Sequence, residues 1–440
     1  MKQRTRRQKA ILRRNIFLTS CAVVLIAAIA LICFVVSSIS SKPDTNSSSS
    51  QTQSVQSGEN TQSVPSTPEP EPDTTATVLS IGDIMVHQTQ LTGAKTSEGY
   101  DFSDFFKETD AHYKKADLTI GNLELTFGGS ESGSFKGYPA FNTPDQLADA
   151  IKDSGINMLM TSNNHSNDTG FFGLKRTANV LKEKGLEFTG TKETLQDPKY
   201  IVKEVNGIKI GIANFTYETP GSDPDRKYLN GGAIKKEAND YINTFSYQRI
   251  EKFYTEAQEI ITDMKNNGAE FISFYMHWGE EYQLTANTWQ KSIAQKLSNL
   301  GVDIIVGGHP HVVQPIELIH AEDSNRTTIC VYSLGNAVSN QRRELMSSSP
   351  KGHTEDGIMF SYTLKKSNGT VSLQSVDIIP TWVKKYSKGS GYKYTIYPID
   401  GTEYSGISSK LEESLNRTKA IVKDGLNECQ KHLGCEVTFE

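Results

Sequence analysis

The segment that most constrains the fold of this chain is Val306-Gly307-Gly308-His309-Pro310-His311-Val312-Val313-Gln314-Pro315, at the end of an apolar run. Residues 302–306 predict a buried strand, which the two glycines end. A residue before proline favours extended geometry, and in extended chain positions i and i+2 point the same way. We therefore expect His309 and His311 to face one point at the carboxyl end of a strand, where open α/β sheets place their sites. Imidazole binds Zn, Mn and Fe, so the pair predicts a metal site with further ligands elsewhere.

Four other predicted strands also end in polar side chains. These side chains are Asp83, Asn122, Glu124, Asn164, His165, Asp168 and His277. Each residue alone is more often a turn, cap or packed residue than a ligand, so only their joint occurrence predicts a metal centre. Oxygen and imidazole donors without thiolate suit two divalent ions from the group Mn, Zn, Fe and Mg. Two such ions usually share a carboxylate, and Glu124 or Asp83 could serve.

Short apolar runs alternate with amphipathic stretches, which predicts a mixed-sheet α/β fold with a β-rich second half. We expect strands at 78–81, 118–120, 156–160, 202–205, 209–214, 271–275 and 302–306, and helices at 143–151, 174–184, 247–266 and 288–300. Thr143 is predicted as an N-cap because Pro144 follows it. The runs 328–332, 357–364 and 371–379 look antiparallel. Residues 408–433 have helical spacing that favours packing, with a partner-binding helix as the alternative.

The N-terminal part of the chain differs from the rest. Residues 1–14 are basic without acids, and residues 16–39 carry no charge. That uncharged run is long enough to cross ~30 Å of hydrocarbon, and its basic flank predicts a cytoplasmic N-terminus. We interpret 15–39 as a single-pass signal anchor in the cell membrane, with cleavage near Ser40 as the alternative. Residues 40–76 are predicted to be a disordered tether. An extracellular domain at 77–385 and a C-terminal extension with a helix at 386–440 would follow.

The net charge and the cysteines of the chain limit the kinds of binding partner that can be expected. The chain has a formal net charge of −5 although its N-terminus is basic, so the external part is more acidic still. This argues against nucleic-acid binding. The same charge would repel a polyanion unless bound cations offset it. Cys429 and Cys435 could form a disulfide or remain thiols, and no cysteine spacing is typical of structural zinc.

Six segments in a fixed order carry a resemblance to a known family. They are Gly82-Asp83-Ile84-Met85, Asn122-Leu123-Glu124, Asn163-Asn164-His165 with Asp168 and Gly170, His277-Trp278-Gly279 with Glu281-Tyr282, the segment from Gly308 to Pro315, and Tyr332-Ser333-Leu334-Gly335-Asn336. Over roughly residues 78–379 the chain resembles the CapA family of poly-γ-glutamate capsule-biosynthesis proteins. That family is similar to calcineurin-like metallophosphoesterases. The resemblance therefore implies a four-layer α/β/β/α sandwich of two mixed sheets with a two-metal site.

The resemblance also implies a role for each matched residue. One metal would be held by Asp83, Glu124 and His311, and the other by Glu124, Asn164, His277 and His309, with Glu124 bridging. His165 would be the general acid and Asp168 its orienting partner. Glu281 and Asn336 are predicted to contact substrate, and Asn122 is a possible further ligand. Met85 stands where the phosphoesterase pattern has a histidine, so His87 is a possible replacement ligand.

These observations lead to two functional hypotheses. The first is a membrane-anchored extracellular hydrolase or transferase, in which divalent ions activate water for attack on a phosphoryl or acyl centre and His165 supplies a proton. The second is a non-catalytic factor that binds an anionic capsule polymer, poly-γ-glutamate by family implication, within a synthase or export complex. A degenerate wall-binding module is a third alternative.

Overall fold

Two β-sheets form the framework of the protein. The computed structural model describes residues 72–223, 225–347, 350–389 and 391–439. The predicted basic segment and signal anchor, and nearly all of the predicted tether, lie outside the described residues. Within those ranges, no helix combines the length and the apolar character that a membrane crossing requires. The first strand begins at Thr74, before the predicted domain start at Thr77, because Thr74 pairs with Lys366.

The α-helices of the described residues range in length from six residues to the 25 residues of the last. In chain order they are α1 (Gln88–Ala94), α2 (Asp110–Lys115), α3 (Gln146–Asp153), α4 (Gly170–Lys184), α5 (Ile250–Asn266), α6 (Thr288–Leu300) and α7 (Ser408–His432).

The strands vary widely in length. In chain order they are β1 (Thr74–Ile84), β2 (Leu118–Leu123), β3 (Met158–Met160), β4 (Glu187–Thr189), β5 (Tyr200–Val205), β6 (Ile208–Tyr217), β7 (Tyr228–Leu229), β8 (Gly232–Ala233), β9 (Thr244–Phe245), β10 (Phe271–His277), β11 (Ile304–Gly308), β12 (Ile316–His320), β13 (Thr327–Val331), β14 (Asn336–Val338), β15 (Asp356–Ser367), β16 (Thr370–Lys388), β17 (Gly391–Pro398) and β18 (Glu436–Phe439).

Both large sheets mix parallel and antiparallel pairs, as predicted. The nine-stranded sheet has the order β17-β16-β15-β1-β2-β3-β4, with β14 on β1 and β18 on β16. Its strands β1 to β4 are parallel, whereas β15, β16 and β17 are antiparallel. The seven-stranded sheet has the order β12-β13-β11-β10-β6-β5, with β9 on β6. Strand β13 corrects one expectation, because it is antiparallel to β12 but parallel to β11.

The central strands are buried on both faces. Along β1, Val78 belongs to an apolar cluster that also contains Ile212 and Val306 of the other sheet, so this cluster lies between the sheets. The neighbouring Leu79 belongs to a cluster with residues of α1, α3 and α4. On the second sheet, Phe274 packs with residues of α5 and α6. Successive side chains of a strand point to opposite faces. Because both faces of these strands are buried, their sequences are continuous apolar runs.

Some predicted helix boundaries were wrong. The helix expected from Thr143 begins at Gln146 with Asp145 as its N-cap, and the Thr143 hydroxyl has no hydrogen-bond partner among the described residues, so it does not cap the helix. The helix expected from Tyr247 opens with a 3₁₀ turn before α5. The predicted C-terminal helix is present as α7, and Val422, Leu426 and Cys429 of this helix join the cluster between the sheets. Cys429 and Cys435 are both free thiols in the structure.

Candidate metal centre

The predicted site residues converge where two sets of parallel strands end. Strand β1 carries Asp83, and Glu124 follows β2, which pairs with β1 in parallel. In the other sheet His277 ends β10, opposite Gly308 at the end of β11. The backbone N–H of His309 donates to Oδ2 of Asp83 at 3.2 Å, which joins the ends of the two sheets.

Glu124 lies at the middle of this cluster. Its carboxylate is fully buried, and among the described residues neither carboxylate oxygen has a hydrogen-bond partner. Oε1 lies 3.6 Å from Nε2 of His277 and 3.8 Å from Nε2 of His311. Burial and the neighbouring Asp83 charge raise the pKa of Glu124 well above its usual range. A buried carboxylate without donors is unfavourable unless a proton or a cation neutralises it, so the environment of Glu124 can accommodate a bound cation.

Two sets of side chains could hold such a cation, and both contain Glu124. One set is Asp83, Glu124 and His277, and the other is Glu124, His309 and His311. In each set, one ligand atom per residue lies within 4.8 Å of the others. All five residues are buried. The arrangement can therefore accept divalent cations, and Glu124 is the residue that the two sets share.

Asp83 contrasts with Glu124 because its carboxylate is fully hydrogen-bonded. Oδ1 accepts from Nδ2 of Asn122 at 2.7 Å, and Oδ2 lies 3.2 Å from Nδ1 of His311. Burial acts to raise the pKa of Asp83, but the hydrogen bond and charge of His311 outweigh it and hold the pKa below its usual value. Asp83 therefore remains an anion that positions the donors around it.

The His309-Pro310-His311 segment converges as predicted but by a different backbone geometry. His309 has φ 95° and His311 has φ 57°, so neither is extended. The expectation that both imidazoles align because they sit on extended chain was wrong. The turn that these positive φ values produce still brings the two ring centroids to 5.9 Å. Holding two non-glycine residues there is unfavourable by itself, which is typical of functional sites.

Asn164 contacts His277, whereas Asn122 contacts both Asp83 and His277, with its Nδ2 3.4 Å from Nδ1 of His277. Oδ1 of Asn164 lies 2.9 Å from Nε2 of His277, so it can join the same ligand set. Asn122 turns its amide nitrogen toward Asp83, and its Oδ1 accepts from Asn163 at 3.3 Å. The oxygen that a metal would need is therefore engaged elsewhere. This geometry favours Asn122 as a support for Asp83 over its predicted role as a possible ligand.

His165 and Asp168 form the predicted pair. Nδ1 of His165 lies 2.7 Å from Oδ2 of Asp168, which also accepts from the backbone N–H of Phe141 at 2.6 Å. The Phe141 ring packs edge-on against His165, with centroids 4.7 Å apart. His165 is buried. Its ring orientation is thus fixed from two sides, and Nε2 is the nitrogen left for a ligand.

His87 takes part in neither ligand set. Its Nδ1 lies 3.3 Å from Oε1 of Gln90 and accepts from the backbone N–H of Asn340 at 3.3 Å. Burial lowers the pKa of His87 to about 4. The ring packs on Phe141 at 5.4 Å. These contacts give His87 a packing role, and the structure lends no support to its possible role as a ligand.

The two predicted substrate contacts occupy different environments. Glu281 is exposed, and its charge raises the pKa of Glu124 and of Tyr282, so it lies at the rim of the centre. Asn336 is fully buried, and its Oδ1 lies 3.1 Å from Nδ1 of His311. Its amide nitrogen donates to Gln341 and Thr354. Asn336 is thus placed to orient His311, and burial keeps it from the predicted contact with substrate.

A model of the family described as "Bacterial capsule synthesis protein PGA_cap" matches residues 77–341, more than half of the 440-residue chain. The chain belongs to the PGA_cap family. The family resemblance inferred from the six motifs is thereby confirmed. The matched span includes every residue of the two ligand sets, as well as His165 and Asp168.

Two named relatives are similar to this PGA_cap protein over most of their length. "Capsule biosynthesis protein CapA" of Bacillus anthracis is 27% identical over 361 residues, 79% of each chain. "PGA biosynthesis protein CapA" of Bacillus subtilis is 27% identical over 323 residues, 72% of this chain and 76% of its own. Among solved structures, a phosphatase from Mycoplasma pneumoniae aligns with a TM-score of 0.39 and 14% identity, covering 70% of this chain and 93% of its own.

The sequence did not predict two contacts of the PGA_cap centre. The hydroxyl of Tyr217 lies 3.1 Å from Nε2 of His309. Its predicted strand stopped at residue 214, but β6 continues, and Thr216 pairs with His277, so strand register could have found Tyr217. Gln341 bridges Asn336 and the hydroxyl of Tyr282. No motif marks Gln341, because its contact depends on the loop after β14.

Proposed function

We propose that this PGA_cap protein is a divalent-metal-dependent hydrolase of the cell surface that acts in making or exporting a poly-γ-glutamate capsule. One observation carries the proposal. Glu124 is a fully buried carboxylate without a hydrogen-bond donor among the described residues, and it lies between the imidazoles of His277 and His311. A charged carboxylate there is unfavourable unless a cation accompanies it, because burial otherwise favours the neutral form of Glu124.

The two ligand sets support a pair of divalent ions that share Glu124. One set would hold each ion, Asp83 with Glu124 and His277, and Glu124 with His309 and His311. This grouping differs from the one that the resemblance implies, in which Asp83, Glu124 and His311 hold one ion and Glu124, Asn164, His277 and His309 the other. We further propose that the two sheets and their flanking helices form the four-layer α/β/β/α sandwich of metallophosphoesterases. The apolar clusters between the sheets, and between each sheet and its helices, support this arrangement.

In the proposed reaction the metal ions would activate water, and His165 would donate a proton. Divalent ions in such a site lower the pKa of water and offset negative charge on the reacting oxygens. His165, when protonated, would hold its second proton at Nε2, since Nδ1 faces Asp168. Asp168 stabilises that imidazolium and keeps the ring in one orientation. Nε2 can then donate a proton to a leaving oxygen, which is general acid catalysis.

We infer the location and the substrate of the protein from its family and from its net charge. The relatives' names, capsule biosynthesis and PGA biosynthesis, support a capsule polymer as the substrate, with a phosphoester as the alternative. The predicted span at 15–39 would anchor the chain in the membrane with the main domain outside, within a capsule synthase or export complex. An acidic chain would repel a polymer of carboxylates, so the bound cations would supply the attraction.

The test uses the full-length protein with Mn²⁺ added. Hydrolysis of a model phosphodiester and of poly-γ-glutamate is measured for the wild type, for His165→Ala and for the matched control His320→Ala. His320 lies on β12 next to His432 and outside both ligand sets. The proposal expects turnover that His165→Ala abolishes and His320→Ala preserves. Saturable polymer binding without turnover, lost in His309→Ala, would instead favour the non-catalytic assembly factor.

A further inference from the structure

We propose that Tyr217 is a positioning residue that fixes the tautomer of His309, so that Nδ1 of His309 presents its lone pair to a divalent cation. This inference rests on the proposed metal centre. It adds to that centre a residue that lies in none of the six motifs. It also assigns the ligand atom of His309, which the two ligand sets leave open.

The hydrogen bonds of His309 determine which nitrogen is free. The hydroxyl of Tyr217 lies 3.1 Å from Nε2, and the two rings are 4.9 Å apart. Nδ1 is buried and has no hydrogen-bond partner among the described residues. A neutral imidazole carries one N–H and one lone pair. If Nδ1 carried the proton, a buried donor would have no acceptor, which is unfavourable. The proton therefore belongs on Nε2, where the Tyr217 oxygen accepts it.

The position of Tyr217 is itself held from two directions. Strand pairing of Thr216 with His277 sets its backbone at the edge of the centre. Its ring stacks on Tyr247 with centroids 6.1 Å apart, and Tyr247 packs at 5.3 Å on Trp289, which is 42% exposed. An aromatic row thus runs from the surface to His309. Groups that orient a metal-binding histidine through its second nitrogen raise metal affinity, and Tyr217 is placed to do so.

The test measures metal affinity rather than activity. Zn²⁺ and Mn²⁺ affinities of the full-length protein are determined by competition with a chelator. Tyr217→Phe removes only the hydroxyl, and we expect it to weaken binding about 10-fold. Tyr247→Phe is the matched control, because among the described residues its hydroxyl accepts only from the Gly279 backbone N–H at 3.4 Å. That variant should bind within about twofold of the wild type.

The outcomes separate this inference from the proposed function. A wild type that binds, with an unchanged Tyr217→Phe affinity, overturns the role of Tyr217 and leaves the metal centre standing. A wild type that binds no divalent ion overturns both. A second measurement needs no variant of Tyr217: ¹⁵N-histidine NMR of the Zn²⁺-loaded wild type, with His309 assigned through His309→Gln. Zinc on Nδ1 with a proton on Nε2 is expected, and zinc on Nε2 overturns the inference.

Discussion

Oε1 of Glu124 lies 3.6 Å from Nε2 of His277, and both side chains are buried where the two sheets meet. This contact brings a carboxylate that lacks hydrogen-bond donors close to an imidazole whose pKa is lowered well below its usual range by burial and by His309. Burial therefore favours the neutral form of each group, although a charged carboxylate is what a cation needs.

Glu124→Gln should separate stability from metal binding. In metal-free buffer the free energy of unfolding of the variant is expected to be about 1–3 kcal/mol higher than that of the wild type. The reason is that a neutral amide replaces a buried carboxylate without donors. Divalent ions should then stabilise the wild type by about 4 kcal/mol at roughly a thousandfold excess over Kd, and the variant far less. Denaturant unfolding with EDTA and with Mn²⁺ measures both effects. A variant less stable than the wild type in EDTA would contradict the account of Glu124.

Asp168→Asn should impair proton donation by His165 and spare metal binding. An asparagine at this position cannot stabilise the protonated ring, so kcat should fall roughly 10²-fold, within the usual contribution of general acid catalysis. The Mn²⁺ affinity should stay unchanged, because Asp168 lies outside both ligand sets. Asp225→Asn, which alters an exposed pair with Lys236, serves as the control. An equal loss in both variants would argue against the role of Asp168.

Lys227 should make folding stability depend on pH. Burial, reinforced by Lys199, lowers the pKa of Lys227 to about 8 although Glu218, Glu256 and Asp240 act in the opposite sense. The unfolded chain keeps this proton up to about pH 10.5. Between these values the unfolded state binds more protons, so the free energy of unfolding should rise with pH from 8 to 10.5.

Lys227→Met provides the measurement of that dependence. The variant should be more stable than the wild type by roughly 3 kcal/mol at pH 7, and the difference should shrink as the pH rises toward 10.5. Urea unfolding of both proteins across this pH range gives the difference directly, since other titrating groups are common to both. A constant difference would show that Lys227 keeps an ordinary pKa in the folded protein.

Arg417 should anchor α7 to the nine-stranded sheet. Its Nε and Nη2 donate to both oxygens of the buried Asp356 carboxylate at 2.6 and 2.7 Å. Arg417→Met leaves that carboxylate with Ser414 as its remaining side-chain donor, and it should cost about 3–5 kcal/mol of stability. Adding Asp356→Asn should restore part of the loss. Lys410→Met, which removes an exposed pair with Glu413, should change stability by about 0.5 kcal/mol or less.

The sequence predicted the composition of the centre better than its geometry. Strand ends followed by carboxylate, amide and imidazole were enough to bring Asp83, Glu124, His277 and His309 to one place, because parallel strands end at a common edge. The predicted extended backbone of the His309-Pro310-His311 segment was wrong. His309 adopts a positive φ, which local preferences disfavour, and its backbone N–H donates to the Asp83 carboxylate in that conformation.

Tertiary contacts decided the features that sequence reasoning could not reach. Asn336 belongs to a recognised motif, yet only the folded chain shows that burial directs its side chain to His311. The lack of donors around Glu124 depends on side chains from both sheets and has no local signal. Strand β13 was predicted antiparallel together with two later runs, but it pairs in parallel with β11 and only its other neighbour, β12, is antiparallel to it.

Metal stoichiometry shows whether Glu124 bridges two divalent cations. Full-length wild type and Glu124→Gln are dialysed against Mn²⁺, separated from free ion and measured for metal and protein content. The account predicts two ions per wild-type chain and loss of at least one in the variant. A wild type without stoichiometric metal, or a variant that retains the full complement, would contradict it.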